Sequence, residues 1–165
     1  MKKYILIILL ILSNSQTSAA IKEKIVGKLY EVNNVTFDFE QNVGGTIENG
    51  TCTIQYPKKI FCKYNLGNKK VLVSDGKSLV IKTNTSYYLY PLDKTPLYFI
   101  LDKNFVNYKF KENNTEISIF FDLGTYNLIG WQTLDIYQNI TITYLSSIRK
   151  NQNLDKNIFL IPNRN

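Results

Sequence analysis

Residues 69–103 read KKVLVSDGKSLVIKTNTSYYLYPLDKTPLYFILDK, and this stretch decides the fold. Val71-Leu72-Val73-Ser74 and Lys77-Ser78-Leu79-Val80-Ile81 flank Asp75-Gly76, and an Asp-Gly pair between β-branched runs predicts a hairpin whose two turn positions both have positive φ. Tyr87 to Tyr90 forms a third strand-like run. Then Thr95-Pro96 predicts a helix start, with the threonine hydroxyl as N-cap and proline at the first helical position. Leu97-Tyr98-Phe99-Ile100-Leu101 follows, apolar on every side. Such a segment has to be covered all round, yet it is far short of the roughly 20 residues that span a bilayer. The arrangement that satisfies both is a short plug lying in the concave face of a curved antiparallel sheet.

The flanking sequence supplies the sheet. Val35, Phe37, Phe39 and Gln41 alternate with Thr36, Asp38 and Glu40, giving a strand with one apolar face. Gly50 to Tyr56, Ile60 to Tyr64, Phe105 to Lys111, Thr115 to Phe121, Leu128 to Tyr137, Asn139 to Ile148 and Ile158 to Pro162 continue the pattern, and Gly130 predicts a bend in mid-strand. Ile21 to Asn33 reads instead as an amphipathic helix, with Ile21, Ile25, Val26, Leu29 and Tyr30 on its apolar side. The expected class is mostly β: a curved antiparallel sheet of about ten strands forming an incomplete β-barrel, with an N-terminal amphipathic helix and a short apolar lid or plug helix.

The two cysteines fall on the hairpin around Pro57. A three-residue loop would set Gln55 opposite Lys59, Ile54 opposite Ile60 and Cys52 opposite Cys62, close enough for a disulfide. A two-residue loop would slip the register and leave two buried thiols. Either way Cys52, Ile54, Ile60, Cys62 and Tyr64 share one face.

Composition bounds the function. The chain has 165 residues, a net charge of +7, 12 Tyr and 9 Phe, and contains no histidine. Ser-His-Asp and Cys-His catalysis and histidine metal sites are therefore excluded, and no cofactor is expected. Asp38, Glu40, Asp75, Asp102 and Asp135 are scattered over turns and polar faces, so an enzyme is not expected either. Lys2 and Lys3, an apolar run from Tyr4 to Leu12 and small residues to Ala20 match a secretory signal peptide over 1–20; a single N-terminal anchor is the alternative. Residues 21–165 then form one domain, exported to an oxidising compartment where a Cys52–Cys62 bond is favoured. Without residues 1–20 the net charge is +5, spread thinly enough that nucleic acid is not an expected partner.

The ordered set of segments resembles the LolA family of periplasmic outer-membrane lipoprotein carriers. Phe37-Asp38-Phe39-Glu40-Gln41, the Gly50–Tyr64 hairpin, Val71 to Leu79, Thr95 to Leu101, Gly130-Trp131, Asp135 and Phe159-Leu160-Ile161-Pro162 carry the likeness across nearly the whole mature chain. The resemblance implies a monomeric carrier in the periplasm. Its apolar cavity would take the acyl chains of outer-membrane lipoproteins from an ATP-driven inner-membrane release complex and pass them to an outer-membrane acceptor. Ile60, Leu72, Leu97 and Tyr98 match cavity-facing positions, and Phe39, Ile54, Tyr56 and Leu101 complete the expected lipid contacts. Tyr56 stands where the family commonly has a basic residue that helps hold the lid, so the latch here departs from the family pattern. A rival reading is a lipid- or lipoprotein-sensing module of the same fold that does not shuttle cargo. A small outer-membrane barrel is disfavoured by the polar alternate faces at Thr36, Asp38, Glu40 and Lys63.

Overall fold

A computed structural model describes residues 19–103, 116–134 and 139–164. Among the described residues nine strands form one sheet: β1 (Asn34–Val43), β2 (Thr46–Gln55), β3 (Lys59–Tyr64), β4 (Val71–Asp75), β5 (Ser78–Lys82), β6 (Tyr87–Pro91), β7 (Glu116–Phe121), β8 (Leu128–Leu134) and β9 (Ile140–Lys150). Their order is β6-β5-β4-β3-β2-β1-β9-β8-β7, antiparallel at every step. Each hairpin partner is also a sequence neighbour except where β9 returns to lie beside β1. The sheet curves without closing, so the architecture is an incomplete barrel. The strand expected at Phe105 to Lys111 lies outside the described residues.

The period-two pattern sorts the side chains onto two faces. Val35, Phe37 and Phe39 of β1 are buried and join Cys52, Ile54, Ile60, Cys62 and Trp131 in one cluster on the concave side. The convex side of the same strands is polar: Thr36 and Thr53 share a hydroxyl hydrogen bond of 3.1 Å, and Thr51 donates to Asp38 at 3.0 Å. A one-residue slip would turn the whole apolar set toward water, which fixes the register. Beside Gly130 the β7–β8 register shifts, Phe120 facing Gly130 and Phe121 facing Leu128, so Ile129 is bulged. A Cβ on Gly130 would lie 2.4 Å from the Thr143 carbonyl oxygen, so the glycine permits close approach of β9.

Two α-helices among the described residues pack against the sheet. Helix α1 (residues 19–30) packs Ile25 and Leu29 against Ile119, Phe121 and Tyr126. Val26 is half-buried, whereas Tyr30, expected on the apolar side, is exposed. Helix α2 (Leu97–Ile100) is a single turn preceded by a 3-10 turn at Leu92–Lys94, and Leu92, Ile100 and Leu101 are buried in the main cluster.

Local chemistry departs from expectation at three places. In the β4–β5 turn only Gly76 has positive φ (105°); Asp75 instead accepts hydrogen bonds from the Lys77 and Ser78 N–H groups, both at 2.9 Å. The carboxylate thus builds the turn from the side chain, and Asp75 needs no left-handed backbone. Thr95 does not cap α2 through its hydroxyl, which donates back to the Leu92 carbonyl at 2.8 Å; its own carbonyl accepts from Tyr98 N–H at 3.1 Å. The last expected strand, Ile158 to Pro162, is replaced by a 3-10 turn at Lys156–Phe159, opened by Asp155 accepting from Asn157 N–H. This turn contacts the convex side of β3 and β4, where Phe159, Val73 and Val80 are buried. An apolar run that covers an outer patch needs no partner strand.

Candidate functional site

The concave face does not fill its own interior. A hollow of about 380 Å³ opens between the sheet and the start of α2. Its floor is apolar: Phe39, Ile60, Leu72, Leu79, Trp131 and the Cys52–Cys62 pair, with Pro96 and Leu97 along one side. The cysteines face each other across β2 and β3 and form a disulfide, in the register of a three-residue loop over Tyr56–Lys58. Phe39 meets Tyr64 edge-on, ring centroids 5.0 Å apart, above Gly50.

Of the residues singled out in the sequence, Phe39, Ile60, Leu72 and Leu97 line this hollow. Ile54 and Leu101 are fully buried in the main cluster and do not line the hollow. Tyr98 is half-buried on α2 and packs edge-on against Phe99. Tyr56 lies elsewhere, beside a gap of about 30 Å³ under α1, bordered by Leu29, Val32 and Val35. That gap holds about one water-sized group. Burial pushes the Tyr56 phenol well above its ordinary pKa.

The α2 helix is fastened by a residue that pattern reading did not single out. Lys58, next to the proline, donates from Nζ to the Tyr98 carbonyl at 2.6 Å and pairs with Asp102 Oδ2 at 2.8 Å. Its ammonium sits 3.4 Å from the Tyr98 ring centroid, and its backbone N–H donates to the Leu101 carbonyl at 2.9 Å. A one-turn helix leaves its last carbonyls without intrahelical partners, and a cation at that end satisfies them. Lys58 reaches there from a turn with φ of 70°, held by Ser74 Oγ donating to the Lys58 carbonyl at 3.0 Å. A basic residue thus holds α2, but from the position after the proline, not from Tyr56 before it. The available signal was Pro57-Lys58 in a tight loop, with Asp102 closing the helix.

The outer end of the hollow is polar. Lys70 Nζ contacts both Glu48 carboxylate oxygens, at 2.9 and 2.7 Å, and Gln41 Nε2 donates to Glu48 Oε2 at 2.7 Å. Lys70 lies 4.2 Å from the Tyr64 ring centroid. Burial, reinforced by the Glu48 charge and opposed by a hydrogen bond with Gln41, pushes the Tyr64 phenol up to about 12. A larger groove, about 570 Å³, lies at the edge between Lys69, Lys82 and Arg164, where Thr83, Asn84, Thr85 and Ser86 outnumber the apolar contributors Val71 and Tyr87.

With this geometry in place, a similar solved structure is that of a LolA superfamily protein from Nitrosomonas europaea. The match has a TM-score of 0.44 and 7% sequence identity, and covers 87% of this chain and 97% of that chain. No family model matches the sequence, and no curated protein matches it. What the site can do therefore has to come from its own chemistry. A hollow of apolar side chains with a charged and hydroxyl-bearing rim has the polarity of an amphiphile turned inside out.

Proposed function

We propose that this protein is an exported, periplasmic carrier that takes the acyl chains of outer-membrane lipoproteins into the hollow and moves them from the inner to the outer membrane. In this reading it works as a monomer without cofactor or catalysis, receives cargo from an ATP-driven inner-membrane complex and yields it to an outer-membrane acceptor. The observation that carries the reading is the hollow itself, apolar below and bordered by a helix held through one lysine. The sequence resemblance to lipoprotein carriers supports the same conclusion.

The magnitudes suit a carrier. At about 30 Å³ for a water-sized group, 380 Å³ holds about a dozen methylenes. Burying them gains on the order of 10 kcal/mol at about 0.8 kcal/mol each, before the costs of association. A second or third chain needs more room, which outward movement of α2 supplies at the cost of the Lys58 contacts. That cost lowers net affinity and lets cargo leave.

Mass spectrometry of the protein purified from its own periplasm, followed by incubation with acceptor membranes, tests this. Copurified acylated cargo that passes to the membranes supports the carrier. Cargo that is retained indicates the sensing module, and absence of any acyl ligand refutes both. Leu97→Glu places a charge against the apolar floor and is expected to reduce loading about tenfold while the sheet still folds.

A further inference from the structure

The rim of the hollow carries a charge arrangement that an acyl chain alone does not require. Glu48 on β2 stands opposite Gln41 on β1, and Gln41 stands opposite Thr143 on β9. Lys70, just before β4, completes the row by its two contacts with Glu48. One row farther out, Thr141 faces Thr133. These side chains all line the hollow, so a chain lying on the floor below leaves its polar end among them.

The Lys70 and Glu48 side chains are only 19% and 16% exposed, and their charges cancel. A net anion drawn to the ammonium meets the Glu48 carboxylate, and a net cation drawn to the carboxylate meets Lys70. Like charges in a partly desolvated site oppose binding strongly. A head with both signs satisfies the two together, and Gln41 with the threonines offers neutral donors and acceptors around it. Resting on the acyl-binding reading above, we propose that the hollow at its resting volume, which holds one chain, selects amphiphiles with a zwitterionic head, held tail inward with the head on the Gln41–Glu48–Lys70 row.

Calorimetric titration with three probes of equal chain length, each below its micellar concentration, tests the proposal: dodecylphosphocholine, dodecanoate and dodecyltrimethylammonium. Dodecylphosphocholine is expected to bind on the order of tenfold more tightly than either ion. Glu48→Gln should move the preference to dodecanoate, and Lys70→Met should move it to dodecyltrimethylammonium. The exchange of both, Glu48→Lys with Lys70→Glu, should restore the zwitterion. Equal binding of the three probes by the unaltered protein overturns head selection while leaving the acyl hollow standing, and so does an ionic preference. Binding of none of the three overturns the acyl reading itself.

Discussion

Replacing Lys58 with Met should loosen α2 without loosening the sheet. The substitution removes the 2.6 Å bond to the Tyr98 carbonyl, the 2.8 Å contact with Asp102 and the ring contact with Tyr98. A hydrogen bond from a charged donor contributes about 1.5–3 kcal/mol. The three interactions share one ammonium and are not additive, so the combined loss is about 2 kcal/mol. Met keeps the aliphatic stem, and the Lys58 N–H bond to the Leu101 carbonyl survives because it is backbone. A loss of about 2 kcal/mol raises the opening constant of the segment about 30-fold. Native-state hydrogen exchange reads this at the Leu101 and Asp102 amides, which donate to the Leu97 and Phe99 carbonyls. The expected result is about 30-fold faster exchange there, with the slowest β1 and β2 amides changed far less. Unchanged exchange at both amides, or the same acceleration throughout the sheet, would refute the idea that this lysine governs a local opening.

Three other outcomes follow from the packing of the β2–β3 hairpin. Replacing Cys52 and Cys62 together with Ala releases a short loop and should lower unfolding stability by about 2–3 kcal/mol, read from chemical denaturation. Gly50→Ala would place a Cβ 2.2 Å from the Lys63 carbonyl oxygen and 2.9 Å from the Phe39 ring, so β2 and β3 must separate; a loss of about 3 kcal/mol is expected, with Tyr64 fluorescence altered. The neutral Tyr64 phenol contributes stability in full below the ordinary tyrosine pKa of 10, and that contribution is lost as pH rises from 10 through about 12. Phenolate absorbance should show Tyr64 titrating after the ordinary tyrosines, and Tyr64→Phe should remove its share of the alkaline destabilisation.

The sheet was legible where neighbouring residues alone determine structure. The alternation from Val35 to Gln41 identified β1 and its buried face, and the spacing of Cys52 and Cys62 about Pro57 set the β2–β3 register once the loop length was known. The Asp75-Gly76 pair marks the turn but not its backbone, because a carboxylate accepting from the Lys77 and Ser78 N–H groups builds a turn that glycine-like angles also make. The run at Ile158 to Ile161 has the composition of a strand, and only its place on the convex side of β3 and β4 makes it a cover. Lys58 and the Glu48–Lys70 pair were missed for a common reason. Each joins residues 22 or more positions apart, Lys58 to Asp102 and Glu48 to Lys70, and depends on registers that a single strand's pattern does not contain.

The disulfide in the floor and the lysine that clasps α2 belong to the same β-hairpin, so the bottom of the cup and its fastening move as one stiff spine. A guest too bulky for the resting volume cannot spread the cup along that spine. The give has to come from the flanks, β5 and β6 on one side and β8 and β7 on the other, which would part like the covers of a book held at its binding.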